Sequence, residues 1–238
     1  MLTREQETIM CVSAEVSFAM AGLLGVGGVF ATKKAFTIDT RYVPLALFPI
    51  LVAIQQFFEG LVWVGLETNT AQLIKAATLT YLFFTWMVWP SWVPFMTARL
   101  ELAAKKKRGF MYFSKAGIVL GAILYLPNFW NADWVNPQIF NHSIAYNCAL
   151  ITESLLPHEF MYTAYLAIIA LPPLLSSHHA LKIFGVALTI FIPIAYFFFY
   201  STGLSVLCFF AAIVTFYIIW LILKDHCPSK TEKTVSHV

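Results

Sequence analysis

Read from the N-terminus, the chain alternates long apolar runs with short polar breaks. The runs fall at 10–31, 43–66, 72–97, 109–126, 159–177, 180–199 and 203–223. About 20 consecutive apolar residues carry a helix across a bilayer. Each run therefore predicts one transmembrane helix, and the fold class expected is all-α, a polytopic membrane bundle of seven transmembrane helices. No linker divides it, so a single transmembrane domain is expected over 10–224, after an N-terminal extension (1–9) and before a tail (225–238). The one long connection, 127–158, opens rich in Asn, Pro and Trp, and its second part, 143–156, is expected to form a short surface helix over the bundle.

Composition agrees with the pattern. Of 238 residues, 60% are hydrophobic and 11% charged, where a soluble domain carries roughly a quarter charged. The basic residues are segregated by loop. If the N-terminus lies outside and the spans alternate, all of the 15 Lys and Arg except Arg4 and Lys75 fall on the inner side. Lys and Arg in short loops set the orientation, so the N-terminus is expected outside and the C-terminus in the cytoplasm. "KKKR" (105–108) reads as a cytoplasmic turn. With the bases spread over loops rather than gathered on one patch, a nucleic-acid partner is not expected; the lipid bilayer is.

Against this apolar background, "IQQFFEGLVW" (54–63) stands out. On a helix, Gln56, Glu59, Gly60 and Trp63 follow the i, i+3, i+4, i+7 spacing of one face, and Gln55 lies four residues before Glu59. An acidic residue inside a span costs about 2.5–3.5 kcal/mol on insertion scales, so Glu59 must face the bundle. In the alternating topology it lies in the outer half of its span, at the level where Glu15, His158 and Glu159 enter theirs. An outward-facing polar cavity is expected there. Glu59 would hold a cation, a proton or a small polar solute, with Gln55 and Gln56 as orienting partners and Glu15 as a second acid. Trp63, Tyr81, Trp86 and Trp89 are candidate lining residues. The alternative is structural: the same side chains bond neighbouring helices and bind nothing.

Cysteines and histidines leave a second chemistry open. Cys11 and Cys148 fall on the outer side and could pair as a disulfide. His142, His158, Glu159 and Cys148 could hold a divalent metal such as zinc or copper, although no tight Cys or His spacing supports it. "SSHH" (176–179) belongs at the inner end of the fifth span, and adjacent histidines there diverge by about 100° along a helix. No histidine lies mid-span and the last span has no lysine, so neither haem nor retinal is expected.

"MCVSAEVSF" (10–18), "IQQFFEGLVW" (54–63), "WPSWVPF" (89–95), "LPPLLSS" (171–177) and "SVLCFFAA" (205–212) together resemble a family of bacterial integral membrane proteins. Its members typically begin Met-Cys-Phe-Ser and are known only as a domain of unknown function. The resemblance implies seven helices and a place in the bacterial inner (cytoplasmic) membrane, and it brings no activity. A likeness to the ceramidase and adiponectin-receptor type hydrolases is one of architecture alone, because the last span has no paired histidines. Three functions are carried forward: a small transporter, channel-like protein or solute receptor; an intramembrane metal-dependent hydrolase using His142, His158, Glu159 and Cys148 or else His178 and His179; and an assembly protein without a ligand.

Overall fold

A computed structural model describes residues 13–140, 143–148, 158–198 and 203–224. Among them the chain forms α1 (Ala14–Ile38), α2 (Val43–Glu67), α3 (Ala71–Phe83), α4 (Trp89–Leu100), α5 (Ala104–Trp130), α6 (His158–Leu175), α7 (His179–Phe198) and α8 (Gly203–Leu223). A π turn, Phe84–Val88, joins α3 to α4 without a break, so the described residues make seven helical rods. Four helical stretches, Ala14–Ile38, Thr40–Glu67, Ala104–Trp130 and Ser205–Leu223, are long and apolar enough to cross a membrane.

Local signals set the helix ends. Ser13 caps α1 by accepting from the Val16 N–H. Asp39 closes α1 and opens a 3₁₀ turn (Thr40–Tyr42), its carboxylate accepting from the Arg41 N–H and guanidinium. Pro44 then sits in the first turn of α2, where its missing N–H costs nothing. Asn69 takes a left-handed φ of 51° between α2 and α3, as residues that turn a helix end commonly do.

α2 is the hub. It packs on α1, α3, α4 and α8, while α7 bridges α6 to α8 and α5 lies along α4 and the π turn. α1 and α5 leave apolar side chains outside, among them Val26 (61% exposed), Phe30 (58%) and Val119 (61%). Lys33 and Lys34 near the end of α1, Arg41 in the 3₁₀ turn and Lys105–Arg108 at the start of α5 lie at one end of the bundle, here the basic end. The other end is covered in part by a hairpin of β1 (Val135–Phe140) and β2 (Ser143–Cys148).

Three details depart from the sequence reading. Residues 143–148, expected to start a surface helix, are a strand paired antiparallel with β1, Val135 opposite Cys148 and Phe140 opposite Ser143. Val135, Ile139, Phe140, Ile144 and Tyr146 are β-branched or aromatic, and the pairing satisfies backbone that a lone strand would leave open. "KKKR" is helical, the opening of α5 rather than a turn. Positive charges there oppose the helix dipole, and Lys106 offsets this by donating to Leu175 O (3.1 Å) and Ser177 Oγ (3.0 Å) on the α6–α7 turn. The third span is longer than expected and π-wound in the middle.

Proline causes that winding. Pro90 and Pro94 have no N–H and so withhold helical hydrogen bonds from the turns before them, the stretch that carries Trp86 O and Pro90 O. Both face α5 at Gly121 and Gly117, where an added Cβ would collide with them. The two glycines, one helical turn apart, admit these carbonyls to the α5 backbone. Gly117→Ala is therefore expected to destabilise the fold by about 3 kcal/mol, at the upper end of overpacking costs. Gly109→Ala, where a Cβ meets nothing, should stabilise by about 0.5–1 kcal/mol. Thermal unfolding of the two purified variants in detergent checks this; equal melting temperatures would contradict it.

Candidate functional site

The polar stripe of α2 faces inward and is fully buried. Glu59 has 0% exposure. The Ser205 hydroxyl of α8 donates to its Oε1 in a short hydrogen bond, and Gln56 Nε2 donates to its Oε2 at 3.0 Å. Both donors are neutral. Gly60, next to Glu59, lies under the Phe18 ring of α1, so glycine there lets α1 and α2 close over the carboxyl.

One turn toward the basic end, Gln55 ties three helices together. Its Oε1 accepts from Trp89 Nε1 (2.8 Å), and its Nε2 donates to Thr85 Oγ1 (3.0 Å) and to Cys208 Sγ (3.3 Å). The π turn explains the next link. Trp89 N–H donates back to Phe84 O, and five residues on from Thr85 stands Pro90, which has no N–H. Thr85 O is left without a ladder partner, and the Tyr165 hydroxyl of α6 donates to it. The same proline that widens the helix thus creates an acceptor that fixes α6.

A cavity of about 70 Å³ lies beside this network. Gln55, Thr85, Trp89, Tyr165 and Cys208 form its polar wall, and Phe48, Val52 and Leu188 are among its apolar residues. The polar wall already spends its hydrogen bonds internally. The space would take about two waters or a small apolar guest.

Of the residues singled out from sequence, Gln55, Gln56, Glu59, Tyr81 and Trp89 come together. Tyr81 is fully buried, stacks on Tyr146 of the hairpin at 4.5 Å between ring centroids, and reaches Cys208. Trp63 is buried one turn beyond Glu59, and Trp86 is buried edge-on to Tyr165. Glu15 stands apart: it is exposed and accepts from the Ser13 hydroxyl (2.6 Å) in the first turn of α1. Cys11 and His142 lie outside the described residues, as do the side chains of Cys148, His158 and Glu159, and with them the disulfide and the outer metal set. Among the described residues no three His, Cys, Asp or Glu come together. His178 Nε2 pairs with the Tyr42 hydroxyl at 3.0 Å, whereas His179 is exposed. Ser205, Thr85 and Tyr165 were missed; the i, i+3 spacing of Ser205 and Cys208, and Thr85 just before "WPSWVP", were their only signals.

A profile described as "Family of unknown function (DUF6629)" matches residues 10–233. The chain belongs to that family. No curated protein and no solved structure matches the chain.

At the basic end an open cleft of about 590 Å³ is lined by Glu101, Ser177, His178 and Trp220, among others. Glu101 is 4% exposed and brackets two turns, accepting from the Ser177 N–H (2.8 Å) and the Ala103 N–H (3.4 Å). Burial alone would raise its carboxyl, but these bonds and the nearby Lys106 charge outweigh it and hold the group below its ordinary 4.5. A folded-state value below the unfolded one stabilises above pH 4.5 and is lost as pH falls through the folded value. Glu101→Gln should therefore cost about 1–2 kcal/mol at neutral pH and flatten the decline in melting temperature on acidification. Melting curves of the variant and the parent across that range are the check; parallel pH profiles would contradict it.

Proposed function

We propose that this chain is an integral membrane protein of seven spans, with its N-terminus outside and its C-terminus in the cytoplasm of a bacterial inner membrane. In this reading it is a small transporter or channel-like protein in which Glu59 takes up a proton or a small cation. One observation carries the proposal: a fully buried carboxyl held only by the neutral donors Ser205 and Gln56. A buried carboxylate without a countercharge is costly, so Glu59 is expected to hold a proton or a cation. An ionisable group inside a span is by default a place of function.

A structural pin is the rival reading, favoured by the fact that both carboxyl oxygens are already bonded. Glu59→Gln separates the two, because an amide can still bond Ser205 and Gln56 but cannot carry a charge. The expected result is a melting temperature within a few degrees of the parent, with proton flux into dye-loaded vesicles reduced to background. Unchanged flux would overturn the transport reading, and a collapsed melting temperature would favour the pin.

The orientation has its own check. A C-terminal fusion to green fluorescent protein should fluoresce, and one to alkaline phosphatase should be inactive. An active phosphatase would place the basic end outside and overturn the proposed topology.

A further inference from the structure

The surroundings of Glu59 are unequal along the bundle. Toward the hairpin, buried polar atoms lack a hydrogen-bond partner in the protein: Ser17 Oγ on α1, Gln56 Oε1 and Trp63 Nε1 on α2, and Thr78 Oγ1 on α3. All four residues are at least nine-tenths buried. They lie at one level of the bundle, where α1 meets α2 at Gly60 and α3 meets it at Gly65. Gln56 itself bonds Glu59, and Trp63 follows Glu59 by four residues on the same buried face. Ser17 adjoins Phe18, whose ring covers Gly60. Thr78 adjoins Ala77, which belongs with Trp63 and the hairpin's Ile144 to one apolar cluster. Native proteins rarely leave such atoms unpaired, and ordered water is the usual remedy.

Toward the basic end the picture reverses. Between Gln55 and Tyr42 the buried residues of α2 are Ala53, Val52, Pro49, Phe48, Ala46, Leu45 and Pro44. That is about 20 Å of helix with no buried polar side chain. The buried hydroxyls of Thr97 and Thr215, on α4 and α8, are spent on carbonyls of their own helices, Val93 O and Ala211 O.

We propose that Glu59 exchanges its proton with the hairpin side alone, through a short chain of waters held by Ser17, Gln56, Trp63 and Thr78. This rests on the function proposed above and names its ligand as the proton. In uptake a hydronium gives its proton to the Glu59 carboxylate and remains as water; release is the reverse. The mixture of groups favours water over a metal cation. Trp63 Nε1 can only donate, Glu59 already accepts from two donors, and a hard cation wants six or more oxygen ligands.

The experiment uses the full chain in vesicles of single orientation, read by infrared difference spectroscopy. The probe is a pH step on one side with the other side clamped. A protonated-carboxyl band missing in Glu59→Gln should follow steps on the hairpin side and ignore steps on the basic side. Thr78→Val and Ser17→Ala, which change little in volume, should each slow the response about tenfold, the order of one lost hydrogen bond, and leave its amplitude unchanged. A band that follows the basic side, a band unmoved from either side, or wild-type rates in both folded variants would overturn the proposal. Failure of the underlying function reads out separately, as unaltered flux in Glu59→Gln.

Discussion

A carboxyl group on the inner face of α2 has to be paired before the helices can close around it. Glu59 satisfies this with one oxygen on α8, through Ser205, and one on its own helix, through Gln56. Gln55, one residue further, takes hydrogen bonds to Trp89, Thr85 and Cys208. Adjacent residues on a helix point about 100° apart, so the pair Gln55 and Gln56 addresses two different walls. With apolar surface outside and inside alike, van der Waals packing and hydrogen bonds between helices supply the specificity that hydrophobicity does not. These side chains fix how α2 sits against α4 and α8.

The prolines extend the same logic to the backbone. Pro90 and Pro94 would each leave a carbonyl unsatisfied deep in the bundle. Tyr165 donates to Thr85 O, the carbonyl that Pro90 leaves open in the π register, while glycines on α5 let Trp86 O and Pro90 O approach closely. The π turn is thereby a joint between α5 on one side and α6 on the other. It also aims Thr85 and Trp89 at Gln55, which links the proline defect to the polar core.

Much of this was written in the sequence, and what was not has a physical reason. The seven apolar runs locate seven helical rods because length and hydropathy are what a spanning helix must have. Glu59 was legible because an acid in an apolar run is too costly to be incidental. Its partners were not. A serine or threonine in a helix can bond its own carbonyl four residues back, as Thr97, Thr189 and Thr215 do, so a hydroxyl announces nothing about a tertiary contact. Nothing in the residue type shows that Ser205 reaches across to another helix while Thr215 bonds its own. Glu15, exposed and bonded to Ser13, carries less information for the complementary reason: an acid in a helix's first turn is expected from the dipole and solvent alone. The hairpin was hidden by its brevity, since two six-residue strands separated by Asn-His resemble any polar loop until their register is known.

The two ends of the bundle are built to different ends. At the basic end, Glu101 to the Ser177 N–H, Lys106 to Leu175 O, and Tyr42 to His178 lash the α1–α2, α4–α5 and α6–α7 turns together. Of these, the part-buried bond to the Glu101 carboxylate is charge-assisted, the kind that holds better than a neutral one. Among the described residues of the hairpin end the ties are lighter. Lys75 meets Asp133 at 3.3 Å in the open, where such a pair contributes little, and the stack of Tyr81 on Tyr146 fastens the hairpin over the core. The bundle is thus cross-tied at one end and covered in part by a small sheet at the other. The sheet-covered end is the one nearest Glu59 and the buried polar atoms Ser17 Oγ, Gln56 Oε1, Trp63 Nε1 and Thr78 Oγ1, so the proposed proton path and the lighter cross-ties fall on the same side.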